Sequence, residues 1–261
     1  MVQIAKESSL VPSSMRVIVC TYVAAIVVAE LVVARVGVAP GVLLDALILV
    51  ALLTHFAFLG PVAHREILPI LSLAPLLRLL SVTMPVREIP VLYWYVLIGV
   101  PLLIAAALTA RLLGVSRASL GLRLPVLWSQ TLIALTGVPL GLAAFALGRP
   151  HPAIPVFNPL NLALAAGILF IFVGFAEELV FRGLLQRALV ALFGGRGLLW
   201  SAALFMAMYA GSLSPVYILF MGLVGLLFGW CVYRTRSLWG VILAHGALAT
   251  GMFCVWPFVL R

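Results

Sequence analysis

Two adjacent carboxylates and an arginine, Glu177, Glu178 and Arg182, interrupt an apolar run that begins near Leu160. An ionised side chain near the middle of a bilayer costs about 2.5–3.5 kcal/mol on insertion scales, so such groups pair, line a hydrated cavity or serve a reaction. The chain has seven Asp and Glu among 261 residues, and two of them stand here side by side. On a helix Glu178 and Arg182 lie one turn apart with the acid first, the favoured order for an ion pair. Glu177 points roughly 100° away and is left to face something else. A buried ion pair that fixes helix packing accounts for Glu178 and Arg182, but not for the second acid. Further along, Tyr209 and His245 also fall inside apolar runs. A lone intramembrane histidine usually packs or bonds to a neighbouring helix. Beside a carboxylate in a hydrated cavity it completes the minimum for metal-assisted hydrolysis, in which the ion lowers the pKa of bound water and the carboxylate takes the proton.

The elements that must position these groups are membrane helices. The chain is 65% hydrophobic and 9% charged, with a mean hydropathy of +1.28. A water-soluble domain of this size does not have that composition, so the expected fold is all-α, a polytopic transmembrane bundle. Apolar segments near the ~20-residue spanning length read as about 17–36, 41–60, 67–84, 91–112, 127–147, 160–181, a short piece at 198–211, 215–233 and 238–258. That makes eight or nine spans. The polar first fifteen residues do not resemble a cleaved signal, so the first apolar run is expected to stay as a helix.

The net charge of +9 comes almost wholly from arginine, Lys6 being the one lysine. The basic residues are spread over the connections, which argues against a nucleic-acid surface and for a positive-inside distribution. Lys6, Arg16, His64, Arg65, Arg111, Arg117, Arg123, Arg182, Arg187, Arg196, Arg234 and Arg236 fall on one side of a nine-span topology. Arg149 and the Arg87/Glu88 pair fall on the other. The expected orientation in the plasma membrane has a cytoplasmic N-terminus. Cys20, Cys231 and Cys254 lie in apolar segments without metal-type spacing and read as packing residues.

Residues 1–113 read as ordinary spans with scattered polar groups: Glu30, Asp45, His55 and Arg78. Glu30 and Arg35 are expected to pair locally or snorkel, and Asp45 to lie near the outer interface. Arg78 needs a partner, with Glu30 and Asp45 as candidates. Tyr93, Trp94, Tyr95 and Trp256 fit interfacial aromatic belts. A Ser/Arg/Gly-rich linker, 114–123, separates this half from the motif-bearing 125–258.

Three ordered elements in the second half carry a resemblance. They are Glu177-Glu178-x-x-x-Arg182, then Phe205-x-x-x-Tyr209, then Trp239-Gly240-x-x-x-Ala244-His245, preceded by the glycine-rich stretch Gly222 to Trp230. Together they resemble the CPBP family, the CAAX prenyl protease and bacteriocin-processing membrane proteases related to type II CAAX prenyl endopeptidases. The resemblance implies a bundle with a cavity open to the cytoplasm and the membrane. It implies that Glu177 activates water, that Glu178 and Arg182 support it, and that His245 helps to bind a metal or the oxyanion. The cofactor so implied is a divalent ion, most simply zinc, on Glu177 and His245; the implied partner is a membrane-associated peptide or protein.

Two positions depart from the family pattern. Tyr209 stands where the family has histidine, and Ala249 where it has asparagine or another polar residue. A phenol with an ordinary pKa near 10 is a poor substitute for neutral imidazole. His55 is a candidate substitute, about 8 Å from the cytoplasmic face on a helical rise, and Thr250 a candidate hydroxyl. The alternatives to an active protease are a non-catalytic relative that binds a membrane partner, and a transporter whose acids line an ion path. The second predicts internal repeats, which the sequence lacks.

Overall fold

The computed structural model describes residues 13–84, 89–123 and 127–260. Lys6, Arg87, Glu88 and the start of the 125–258 region lie outside the described residues. What is described is an all-helical bundle with seven helices long and apolar enough to cross a membrane. Seven long helices and one shorter apolar helix, the longest of the seven stretches holding a turn at Gly194 and a returning helix, fit the polytopic bundle of eight or nine spans expected from the sequence. The segment Ile67–Thr83 is apolar but shorter than a span. The 198–211 piece belongs to the 54-residue stretch Pro159–Ser212.

The N-terminal half contains α1 (Ser13–Arg35), α2 (Val38–Phe58), α3 (Ile67–Leu71), α4 (Leu73–Thr83) and α5 (Val91–Leu112). α1 packs along α2, and α4 fills the space between α2 and α5. In the second half α6 (Leu127–Leu135) and α7 (Gly137–Gly148) form one interrupted span. Asn158 then starts α8 (Pro159–Leu169), its side chain accepting from the Asn161 backbone N–H at 2.8 Å with Pro159 in the first turn. That is the side-chain cap and N-terminal proline that helix starts favour.

From α8 the backbone stays helical through wide π-type turns at Phe170–Phe175 and Leu179–Gln186 and on through α9 (Arg187–Phe193). The sixth span therefore does not stop at Phe181, and Glu177 and Glu178 lie in mid-helix between the two π-type segments. Arg182 marks no boundary because its charge is held inside the protein. Gly194, at φ 62°, ends the run, and α10 (Gly197–Ala207) turns back. Ser214 caps α11 (Pro215–Thr235), accepting from the Tyr217 N–H. α12 (Trp239–Thr250) follows and continues through a π-type turn to Val259.

α12 carries His245 and is clasped on two sides. A Cβ on Gly137 would lie 2.2 Å from the Ala244 carbonyl oxygen, and one on Gly174 would lie 2.6 Å from that of Ile242. Side chains at these positions would push α12 away from both α7 and the helix that bears Glu177. Small residues at such crossings are how membrane helices approach closely. Here that approach sets the distance between the acids and the histidine.

Candidate active site

Glu178 is fully buried and organises the site. Its Oε1 accepts from Arg182 Nη1 at 2.9 Å and lies 2.8 Å from His245 Nδ1. With Glu178 ionised opposite Arg182, its oxygen accepts and His245 takes the tautomer with the proton on Nδ1. His245 is then left with Nε2 as its free nitrogen. This is the arrangement in which a carboxylate fixes tautomer and ring orientation, leaving the other nitrogen to work.

Arg182 is fixed in turn by α11 and α10. Its Nη2 donates to the Gly225 carbonyl at 3.2 Å, and its guanidinium lies 4.2 Å from the Phe205 ring centroid. Phe205 also meets His245 edge-on at 6.0 Å and Tyr209 at 5.3 Å. The second-motif phenylalanine is thus the packing core that the cation, the imidazole and the phenol share. A Cβ on Gly225 would lie 2.8 Å from Phe205, so the glycine-rich face of α11 gives that ring and guanidinium their room.

Glu177 is placed differently. It lines a cavity of about 210 Å³ together with His245, Tyr209, Tyr217, Tyr95 and Ala249. Among the described residues no side chain or backbone N–H hydrogen-bonds to its carboxylate, so it has lone pairs to offer whatever enters. The adjacent acids have separate jobs. Glu178 Oε1 serves Arg182 and His245 while its Oε2 is buried without a hydrogen-bond partner among the described residues, and Glu177 faces the space.

The site therefore brings together Glu177, Glu178, Arg182, Phe205, Tyr209 and His245. It does not bring in His55, whose Nδ1 is 3.2 Å from the Tyr22 hydroxyl and which is not part of the cavity wall. A helical rise fixes depth but not direction, and α2 turns His55 towards α1. Thr250 is also absent from the wall; its hydroxyl is buried without a hydrogen-bond partner among the described residues.

Several wall residues, Tyr217 among them, escaped the sequence reading, and two that it did name were placed elsewhere or without a role. Tyr95 was expected at an interfacial belt, but it lines the cavity. Arg78 lines it too, paired through Nε with Glu30 Oε1 at 2.9 Å and through Nη2 with Glu30 Oε2 and the Met208 carbonyl. Glu30 is thus the partner of Arg78 and neither snorkels nor pairs with Arg35. Arg78 being intramembrane and in need of a partner was the available signal; for Tyr95 there was none.

A zinc centre usually takes three protein ligands. Among the described residues no three His, Cys, Asp or Glu side chains converge in that way. Glu177 and the free nitrogen of His245 supply two donors, and Tyr209 adds a neutral phenol. The Glu178 oxygen nearest the histidine already serves Arg182. This donor set does not fit the usual zinc site.

Residues 159–250 match the family model for type II CAAX prenyl endopeptidase, Rce1-like. The matched segment contains Glu177, Glu178, Arg182, Phe205, Tyr209 and His245, and it agrees with the resemblance carried by the motifs. No curated protein and no solved structure matches the chain.

Proposed function

We propose that this integral membrane protein, whose residues 159–250 form an Rce1-like domain, is an intramembrane endopeptidase acting on a membrane-associated peptide or protein. The observation that carries this reading is the division of labour between the two acids. Glu178 locks His245 and Arg182, while Glu177 presents an unengaged carboxylate to a cavity shared with His245 and Tyr209.

In the proposed reaction Glu177 takes a proton from a water as its oxygen bonds to the scissile carbonyl carbon. His245 Nε2 accepts a hydrogen bond from the water's other O–H, which stays on the oxygen, and so orients the water. The carbonyl π electrons move onto oxygen, and the Tyr209 hydroxyl donates a hydrogen bond to that oxyanion. Collapse of the tetrahedral species breaks the C–N bond, and the leaving amine takes the proton from Glu177. Ala249 offers no amide to the oxyanion, a loss of about 10²–10³ in comparable sites, so the reaction is expected to be slow. The arginine distribution supports a cavity opening on the cytoplasmic side of the plasma membrane with the N-terminus also cytoplasmic.

The test is a membrane-tethered peptide library presented to the purified chain in vesicles, with fragments read by mass spectrometry. Glu177→Gln is expected to cut release by about 10²–10⁴-fold, the worth of a general base. Release that persists undiminished in Glu177→Gln overturns the reading. A second reading, a cavity that binds a peptide without cutting it, is favoured by Tyr209 and Ala249 both lying on the cavity wall. It predicts peptide retention and no fragments from either protein.

A further inference from the structure

A second cavity, of about 330 Å³, has Arg182 in its wall. Its wall is made by three separate stretches: the 118–123 linker, the 182–190 turns of the long helix, and the end of α11 at 232–236. Four arginines line it, Arg123, Arg182, Arg187 and Arg236, with Ser119, Gln186 and Tyr233 beside them. No carboxylate is in the wall. Arg123, Arg187 and Arg236 are exposed and make no ion pair among the described residues, so Arg182 alone has its charge answered, by Glu178. Arg236 also takes a left-handed φ of 56° with its guanidinium 5.7 Å from the Tyr233 ring centroid.

Scattered basic residues beside a bilayer need no ligand. This wall is different because three separate stretches of the chain bring like charges to one cavity, where a bound anion would relieve their repulsion. Guanidiniums are planar forks that bind carboxylate or phosphate oxygens in pairs. A carboxylate has two oxygens and one charge, fewer than three unanswered forks can use. A phosphate ester has more acceptors, and the hydroxyls of Ser119 and Tyr233 suit its remaining oxygens.

We infer that this cavity is a binding site for a phosphate group, carried by a lipid headgroup or a soluble phosphate ester. The site does not depend on peptide hydrolysis. Its wall includes Arg182, which is bonded to Glu178, itself bonded to His245 of the first cavity's wall.

The test uses the full chain in uncharged detergent. Binding is measured by native mass spectrometry and by the shift in thermal unfolding midpoint. The lipid arm compares phosphatidic acid, phosphatidylglycerol and phosphatidylcholine; the soluble arm uses inorganic phosphate and glycerol 3-phosphate. Arg187→Gln/Arg236→Gln is expected to weaken binding about tenfold or more, equivalent to ~1.4 kcal/mol or more. Arg111→Gln/Arg196→Gln, which removes two exposed arginines outside the cavity, is expected to leave it unchanged. Variant-sensitive binding of the anionic lipids identifies a headgroup site, and the same result with glycerol 3-phosphate identifies a soluble ligand. Absence of binding in both arms, or equal weakening in both double variants, overturns the inference. Should the first double variant elute as aggregate, Arg123→Gln alone serves, with the same direction expected.

Discussion

The two halves of the molecule each hold a pair of acids and an arginine within the bundle, Glu30, Asp45, Glu178 and Arg182 buried and Arg78 and Glu177 partly so at a cavity wall, and the halves use them differently. In the N-terminal half Glu30 is bonded to Arg78 through both its oxygens, and Asp45 is fully buried with neither oxygen hydrogen-bonded among the described residues. In the C-terminal half Glu178 is bonded to Arg182 and His245, and Glu177 is the acid left over. Each half thus has one engaged and one unengaged carboxylate. What separates them is access: Glu177 lines a cavity and Asp45 does not. An unpaired buried carboxylate is a candidate for chemistry when it meets space that a substrate or water can enter, and otherwise it is a burden on the fold.

The same isosteric change tests that contrast where the effect is largest. Asp45→Asn is expected to leave fragment release at the wild-type rate, where Glu177→Gln lowers it by the two to four decades due to a general base. A comparable fall in Asp45→Asn would place Asp45 in the reaction and end the distinction.

Next in size is the engaged pair. Arg182→Met leaves Glu178 buried without its cation, and removing one partner of a buried pair costs about 3–5 kcal/mol. Glu178→Gln/Arg182→Met together should cost less than Arg182→Met alone, since no uncompensated charge remains. A double variant at least as unstable as the single one would show that packing of Arg182 on Phe205, not charge, holds this corner.

Glu30→Gln should cost less than Arg182→Met, about 1–3 kcal/mol, because the Arg78 side chain keeps 13% of its surface accessible and the Met208 carbonyl as a second acceptor. Thermal unfolding in detergent ranks the two variants. The reverse order would mean that the N-terminal pair is the more enclosed.

How far these arrangements can be read from the sequence differs between the halves for a physical reason. Glu178 and Arg182 are one helical turn apart, so their bond follows from local geometry. Glu30 and Arg78 are 48 residues apart, and nothing local selects Glu30 over Asp45. The helical class follows from composition, but the length of the long helix was misjudged because Arg182 looked like the end of a span. Tyr95 has the aromatic signature of an interface and the position of a cavity wall, and sequence gives the first without the second. The approach of α12 to its neighbours rests on Gly137 and Gly174, whose meaning needs the partner backbone to be in view.

The smallest effect is the one most specific to the contrast. Asp45 was expected near an interface, where water would satisfy it; instead both oxygens are buried and unbonded. A buried polar group left unsatisfied costs about 1–3 kcal/mol, and replacing it with an apolar side chain of similar volume removes that cost. Asp45→Leu is therefore expected to raise the unfolding midpoint by an amount equivalent to about 1 kcal/mol. Glu30 and Arg78 answer one another and should be left intact. Loss of stability in Asp45→Leu, with Asp45→Asn neutral, would mean that the polar group has a partner such as an internal water. The N-terminal acids would then form a satisfied network, and the difference between the halves would lie in substrate access alone.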